Sequence, residues 1–400
     1  MAMKEIFKDS KQAFAYKSDG ELRKAYWLFK MMNFNWLTSM GTHVVLAAMK
    51  LRLPIQGILK NTLYGQFVGG ETLAETTPVA EKLAKYGVDV ILDYGAEAKE
   101  GEANFNHAQA EFERVIAYAS QHKSVPFISL KITALARFDL LEKLNDHITI
   151  DRGGIVVDTA VLSSQEKQEW ENVCKRTFAI CESAMKHYVG VLIDAEESWI
   201  QNTIDAITML AMKAYNQNQV VVFNTIQLYR HDRLSFLKHS HDVAQRQNFL
   251  LGVKLVRGAY MEKERARAEQ LNVLSPIQPN KPATDEDFNK AVEFCLIHTE
   301  NISTVVATHN EASNLRAIDL LETEPDKVGQ TFFSQLYGMS DNITFNLARY
   351  GFRVSKYLPY GTVGDVIPYL LRRAQENSSV AGQTGRELYL LGAEMKRRGL

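Results

Sequence analysis

The chain has 400 residues, 46% of them hydrophobic and 23% charged, with a net charge of −1. That length is ordinary for one α/β barrel with an appendage, the apolar content suffices for a large core, and near-neutrality removes any electrostatic case for nucleic acid. Three scattered cysteines, Cys174, Cys181 and Cys295, are too few for a disulfide framework, so a reducing compartment is the simplest expectation.

Lys4, Lys8, Asp9, Lys11 and Glu21 leave no room for the apolar core of a signal peptide, and the acids argue against a transit peptide. Residues 1–60 read as a helical arm. Its Trp27, Met31, Met32, Phe34, Trp36 and Met40 read as residues packed on the main domain, with peripheral membrane contact left open. Residues 44–49, flanked by His43, Lys50 and Arg52, fall far short of the ~20 apolar residues of a membrane span.

From residue 88 the chain alternates β-branched strands with amphipathic helices. Eight strands are expected at 88–94, 126–134, 189–196, 220–228, 252–258, 304–308, 330–336 and 353–357. Eight successive βα units imply a closed parallel barrel. The intervening helices carry apolar residues at a period of about 3.6, as in Phe112, Val115, Ile116, Tyr118 and Ala119, or Leu315, Ile318 and Leu321. Two insertions depart from a minimal barrel. Residues 137–188 include Ile148 to Val157, a hairpin pattern around Gly153-Gly154, to which no chemistry is assigned. Residues 269–287, with Pro276, Pro279 and Pro282, interrupt the fifth helical unit and suit a cover over a cofactor.

Several strands are interrupted by charge. Lys131 follows Phe127-Ile128-Ser129-Leu130, Asp194 follows Val191-Leu192-Ile193, and Lys254 with Arg257 lies in Val253-Lys254-Leu255-Val256-Arg257. An unpaired charge in a buried strand costs several kcal/mol, so charges there line a site. Gln227, His309 and Tyr357 also fall at strand ends. In this architecture such ends form the active-site mouth. Fifteen residues after Tyr357, Arg372 and Arg373 place two planar cationic forks side by side, which suits a small carboxylate. No GxGxxG or GxxxxGK occurs, so neither a dinucleotide fingerprint nor a P-loop is present. His239-Ser240-His241 reads as a solvated helix-face pair, and no metal site is expected. His309 reads equally as a structural histidine or a ligand contact.

The run Gly252-Val253-Lys254-Leu255-Val256-Arg257-Gly258-Ala259-Tyr260-Met261-Glu262-Lys263-Glu264 resembles the fifth-strand signature of the proline dehydrogenase family. So do Phe67-Val68-Gly69-Gly70-Glu71, Ile91-Leu92-Asp93-Tyr94-Gly95, Ile193-Asp194-Ala195-Glu196, Phe223-Asn224-Thr225-Ile226-Gln227, Lys356-Tyr357-Leu358-Pro359-Tyr360-Gly361 and Arg372-Arg373-Ala374-Gln375-Glu376-Asn377. The likeness runs in order from about residue 61 to the end, and is strongest to the single-function, mitochondrial-type branch.

The resemblance implies an α/β fold, a distorted (βα)8 TIM barrel with its last helix over the barrel mouth. It divides the chain into an arm, 1–60, and a barrel, 61–400. It implies FAD as cofactor, oxidation of L-proline to Δ1-pyrroline-5-carboxylate, and a quinone as electron acceptor. By the same resemblance Arg372, Arg373 and Lys131 serve the substrate carboxylate, Asp194 belongs to their polar network, Glu376 orients an arginine, and Tyr357 packs on the substrate ring. Gln227, Lys254, Arg257, Gly258, Tyr260, Thr308 and His309 are its flavin residues. Lys254 and Arg257 stand where the bacterial two-function members carry arginine and lysine, respectively. Tyrosine at 357 is the residue of proline-selective members, whereas hydroxyproline-selective members carry a small polar one. The location implied is cytoplasmic, or peripheral at the inner membrane, on the bacterial cytoplasmic face or in the mitochondrial matrix if a transit peptide was trimmed. Three other readings stay open: a hydroxyproline dehydrogenase, a Schiff-base lyase using Lys131 or Lys254, and a barrel-shaped binding protein.

Overall fold

The structure, a computed structural model, describes residues 3–33, 56–95, 100–323, 325–379 and 383–400. Ten strands occur among them: β1 (Val88–Tyr94), β2 (Phe127–Leu130), β3 (Ile148–Asp151), β4 (Gly154–Val157), β5 (Gly190–Ile193), β6 (Val222–Gln227), β7 (Leu251–Val256), β8 (Ile302–Ala307), β9 (Thr331–Leu336) and β10 (Val354–Tyr360). Eight of them close a parallel barrel in the order β1-β10-β9-β8-β7-β6-β5-β2. All eight expected barrel strands are there. β3 and β4 form the expected antiparallel hairpin, turned at Gly154, whose φ of 136° lies where a side chain is strained.

Two of the expected strands are shorter than their apolar runs. After Leu130 the backbone winds into a 3-10 turn, with Ala134 N–H donating to Lys131 O at 3.1 Å, and β5 ends at Ile193, with Asp194 N–H making a last bond to Leu130 O at 2.8 Å. Lys131 and Asp194 therefore sit just beyond their strands. β10 is longer than expected and runs on to Tyr360, so Tyr357 is mid-strand.

The chain forms two compact units, Met1–Glu97 with Ser334–Leu400, and Ala98–Phe333. In the second, Gly190 makes room for Phe127, whose ring stands edge-on to Phe223 at 5.5 Å and Phe332 at 4.8 Å. A Cβ at 190 would lie 2.3 Å from the Phe127 ring. These aromatics fill the N-terminal layer of the strands and leave the C-terminal ends to polar groups. The proline-rich insertion runs back along 229–231: Gln278 N–H donates to Tyr229 O at 2.7 Å and His231 N–H to Pro276 O at 3.0 Å. It then enters the helix Lys281–Ile297, capped by Asn280.

In the first unit, the helix Asp19–Met32 starts at a capping box between Ser18 and Glu21 and buries Leu22, Ala25, Leu28, Phe29 and Met32. Trp27 and Met31, expected to pack, fall on the opposite face and are 56% and 49% exposed. Phe34, Trp36, Met40 and residues 44–49 lie outside the described residues. The buried face meets Tyr64, Phe67, Val363, Val366, Ile367, Leu370, Leu390 and Leu391 in one apolar cluster. The two chain ends are tied directly. Arg398 donates to Phe14 O at 2.8 Å, Lys17 O at 2.9 Å and Asp19 Oδ1 at 3.0 Å.

Candidate active site

Within Ala98–Phe333 the expected residues gather at strand C-terminal ends. Asp194, the first residue past β5, forms an ion pair with Lys254 in β7. Lys254 is 5% exposed. A lysine so deep is tolerable only because a carboxylate faces it. Gln227 ends β6 at 2% exposure and donates through Nε2 to Glu196 O at 3.1 Å. Its Oε1 is buried with no hydrogen-bond partner among the described residues. A buried acceptor left open costs of order 1–3 kcal/mol, which marks a place where a ligand donor belongs.

Arg257, just past β7, is held on three sides. Nε donates to Asp285 Oδ1 at 2.8 Å, Nη1 to Thr308 Oγ1 at 2.6 Å and Nη2 to Ser313 Oγ at 3.0 Å. Its guanidinium also lies 4.4 Å from the centre of the Phe288 ring. The helix Lys281–Ile297 and Thr308, the residue after β8, thus fix this cation. His309 is half-buried beside Thr308. Gly258 has φ 136°, and a Cβ there would sit 2.3 Å from the Tyr229 ring, so this glycine has a packing reason of its own. Tyr260 is the residue before the helix Met261–Leu271, with Lys263 Nζ 5.6 Å from its ring centre.

Lys131, half-buried, is the first residue past β2. Its near neighbour Thr133 binds Glu196. The Thr133 hydroxyl lies 3.0 and 2.8 Å from the two carboxylate oxygens, and its N–H donates to Oε1 at 3.3 Å. Burial pushes the Glu196 carboxyl up to about 7, against the opposing pull of Lys131 and the Thr133 hydrogen bond. Glu196, part of the run Ile193-Asp194-Ala195-Glu196, carries no role expected from the sequence. The signal was a second acid two residues after Asp194.

Within the other unit, Tyr357 lies half-buried in β10 and its carbonyl accepts from Tyr337 N–H at 2.9 Å. The helix Val363–Ser379 buries Val363, Val366, Ile367 and Leu370. Arg373 continues that face, three residues beyond Leu370, and is 6% exposed, its guanidinium 5.2 Å from the Tyr369 ring centre. Arg372 is half-buried beside it. Glu376 is on the same helix, its side chain outside the described residues. Next to Tyr357 sits a charge that sequence reasoning passed over. Lys356, fully buried, pairs with Asp341 at 2.9 Å, and Asp341 also takes Tyr16 OH at 2.8 Å and Lys17 at 3.6 Å. Glu387 joins them by accepting from Ser340 N–H, and burial pushes it up to about 7. This cluster is internally compensated, so here an interrupting charge is structural.

The histidine pair also differs from expectation. His241 is 4% exposed and packs on His298 at 4.7 Å, and His239 bonds Ile150 O at 2.7 Å. Both are held by the hairpin and by neighbouring helices, not solvated. Among the described residues, no group of His, Cys, Asp and Glu could hold a metal ion, and no helix is long and apolar enough to cross a membrane.

A closed parallel barrel with compensated charges and an open amide at its strand ends is the layout of a barrel enzyme. A profile of the family described as proline dehydrogenase matches residues 76–386. The chain is 30% identical to "Proline dehydrogenase 1, mitochondrial" of Caenorhabditis elegans, over 98% of this chain and 88% of that one. It is 33% identical to "Hydroxyproline dehydrogenase" of Xenopus laevis (96% and 88%), and 33% to "Carbapenem antibiotics biosynthesis protein CarD" of Pectobacterium carotovorum subsp. carotovorum (86% of each). Among solved structures, proline utilization A of Bdellovibrio bacteriovorus, inactivated by N-propargylglycine, superposes with a TM-score of 0.74 at 19% identity. That match covers 97% of this chain and 43% of the longer one, and speaks for the fold. The chain belongs to the proline dehydrogenase family. Its enzyme class is accordingly that of an oxidoreductase acting in proline oxidation.

Proposed function

We propose that this enzyme oxidises L-proline to Δ1-pyrroline-5-carboxylate with FAD as cofactor and a quinone as electron acceptor. The observation that carries the reading is the open, buried Gln227 Oε1 among Asp194, Lys254 and Arg257 at the strand ends. A flavin ring offers an imide N–H that would satisfy that acceptor, and Lys254 and Arg257 offer charge to its anionic parts; Thr308, His309, Gly258 and Tyr260 complete the proposed holding set. FAD supplies the acceptor for the hydride leaving the ring carbon next to nitrogen. The protein's part is to bind and orient. Arg372 and Arg373 take the substrate carboxylate, each through a planar fork that stays charged, and Lys131 adds a third positive charge. Tyr357 packs on the substrate ring. Glu376 orients an arginine. In this reading the arm ends near residue 60, and the enzyme works in the cytoplasm or peripherally at an inner membrane.

The ion pair of Lys254 argues against Lys254 as a Schiff-base nucleophile, since an ammonium held by a carboxylate is no nucleophile. The likeness to a hydroxyproline dehydrogenase leaves the substrate ring to be decided at Tyr357. The test has two parts. The purified protein should show a flavin spectrum that proline bleaches. Arg372→Ala or Arg373→Ala should lower kcat/KM for proline by about 2 to 5 kcal/mol while the flavin stays bound. A colourless protein, or unchanged proline kinetics in both variants, overturns the assignment.

A further inference from the structure

The helices Asp19–Met32 and Gln383–Arg398 lie side by side and antiparallel. At one end Arg398 holds Asp19 at 3.0 Å, and further along a Cβ at Gly392 would lie 3.6 Å from the Tyr26 ring. From that contact, Trp27 and Tyr389, one turn before Gly392, fall at the same level. The inner faces of the two helices belong to the apolar cluster, through Leu22, Ala25, Phe29, Leu390 and Leu391. Their outer faces carry Trp27, Met31 and Tyr389, which are 56%, 49% and 67% exposed. One exposed aromatic is ordinary, but three large apolar side chains on two packed helices make a patch.

Positive charge surrounds the patch. Arg23, Lys24 and Lys30 lie within one turn of Trp27 on its face of the first helix, and Arg386 and Lys396 share the face of Tyr389 on the second. Lys30 Nζ is 4.5 Å from the Trp27 ring centre and 5.9 Å from that of Tyr26, and the Arg386 guanidinium is 5.9 Å from that of Tyr389. Every acid of the two helices is engaged or buried. Asp19 is held by Arg398, Glu21 by Lys82 at 2.7 Å, Glu394 by Arg397 and Arg398 at 2.7 Å, and Glu387 is buried. Arg23, Lys24, Lys30 and Lys396 make no ion pair with a described residue. The whole chain has a net charge of −1, so this excess is local.

We propose that this two-helix face docks on a lipid bilayer with an anionic surface, with Trp27, Met31 and Tyr389 entering the headgroup layer and the surrounding cations meeting lipid phosphates. The inference deepens the peripheral location in the reading above and rests on it. Aromatic rings with a polar edge, and cations whose stems lie along them, are the chemistry of a membrane interface. Anionic lipid attracts each Lys or Arg near it, whereas a second copy of the same face would set cation against cation.

The probe is vesicles of phosphatidylglycerol and phosphatidylcholine in equal parts, sedimented with the holoenzyme, against vesicles of phosphatidylcholine alone. Wild type should bind the first far more tightly than the second, and lose on the order of ten-fold or more in affinity between about 50 and about 500 mM salt. Arg23→Gln combined with Lys30→Gln and Lys396→Gln should weaken binding on the order of a hundred-fold, at about five-fold for each cation near the surface. Lys167→Gln combined with Lys175→Gln and Lys186→Gln takes the same charge from the helix Ser164–His187 and should change binding by less than about three-fold. Binding should shift the tryptophan emission to the blue, and Trp27→Phe should reduce that shift. Equal binding to both vesicles, or an emission shift unchanged in Trp27→Phe, overturns the inference. So does a dimer that the variant at 23, 30 and 396 disrupts while neither protein binds vesicles. Vesicle binding untouched by that variant leaves the peripheral location standing and overturns this face, and no binding by a proline-oxidising wild type overturns both.

Discussion

Replacing Lys254 by methionine keeps most of the stem and removes the ammonium that faces Asp194. The two side chains are 6% and 15% exposed, so the Asp194 carboxylate would lose its cation while largely shielded from water. Breaking a buried pair from one side costs about 3–5 kcal/mol. Residual water contact at Asp194 puts this case near the low end, at roughly 3 kcal/mol. The double variant Lys254→Met with Asp194→Asn removes both charges and should recover most of the loss. The same cycle reads out the site. With the flavin placed as proposed, loss of one positive charge beside its reduced, anionic form should lower its midpoint potential by roughly 30–60 mV, which is about 1.4–2.8 kcal/mol for a two-electron couple. Asp194→Asn alone should raise it, and the double variant should fall between. Urea unfolding gives the first pair of numbers and potentiometric titration of the flavin absorbance the second. A potential that does not fall in Lys254→Met, or a double variant no more stable than the single, refutes the pairing as a charge balance at the flavin.

Two further outcomes follow from single residues. Tyr357→Ser should lower kcat/KM for proline and narrow its preference over trans-4-hydroxyproline by on the order of 1–3 kcal/mol, because exclusion of a ring hydroxyl depends on bulk; an unchanged ratio of the two kcat/KM values removes Tyr357 from selectivity. Glu387 is pushed by burial from 4.5 up to about 7, so the folded chain holds a proton that the unfolded chain releases. Its contribution is present below the unfolded value and is lost as pH rises through about 7. Glu387→Gln should therefore gain stability over wild type between about pH 5 and pH 8, by roughly 2–3 kcal/mol in urea unfolding. A difference constant across that range counts against a buried, protonated Glu387.

The barrel was legible because its strands are short β-branched runs separated by amphipathic helices, a pattern set by burial on both faces of each strand. The polar residues at strand ends were legible for the complementary reason, since charge is costly there. Partnership was harder to read. Asp194 and Lys254 are sixty positions apart, and β5 and β7 are separated by β6, so no local spacing announces their ion pair. Lys356 carries the same signal as Lys131, a charge breaking an apolar run, yet it is neutralised by Asp341 and the arm's Lys17 and Tyr16 lie against the same carboxylate. Telling the two apart needs the fold. Trp27 and Met31 were misjudged because hydrophobicity was weighed without the helix face, and the face is defined by Leu22, Ala25, Phe29 and Met32.

The unit that carries Tyr357 and the two arginines is assembled from both ends of the chain, whereas the unit that carries Lys254 and Gln227 is one continuous stretch. The tie of Arg398 to Phe14, Lys17 and Asp19 is made between residues separated by 384, 381 and 379 positions. Closing so long a span from a free chain costs roughly 5 kcal/mol of entropy. On the ribosome the contacts of Arg398 consequently form only after residue 398 has been made, whereas β2, β5, β6, β7 and β8 can pair with one another as soon as residue 307 has emerged.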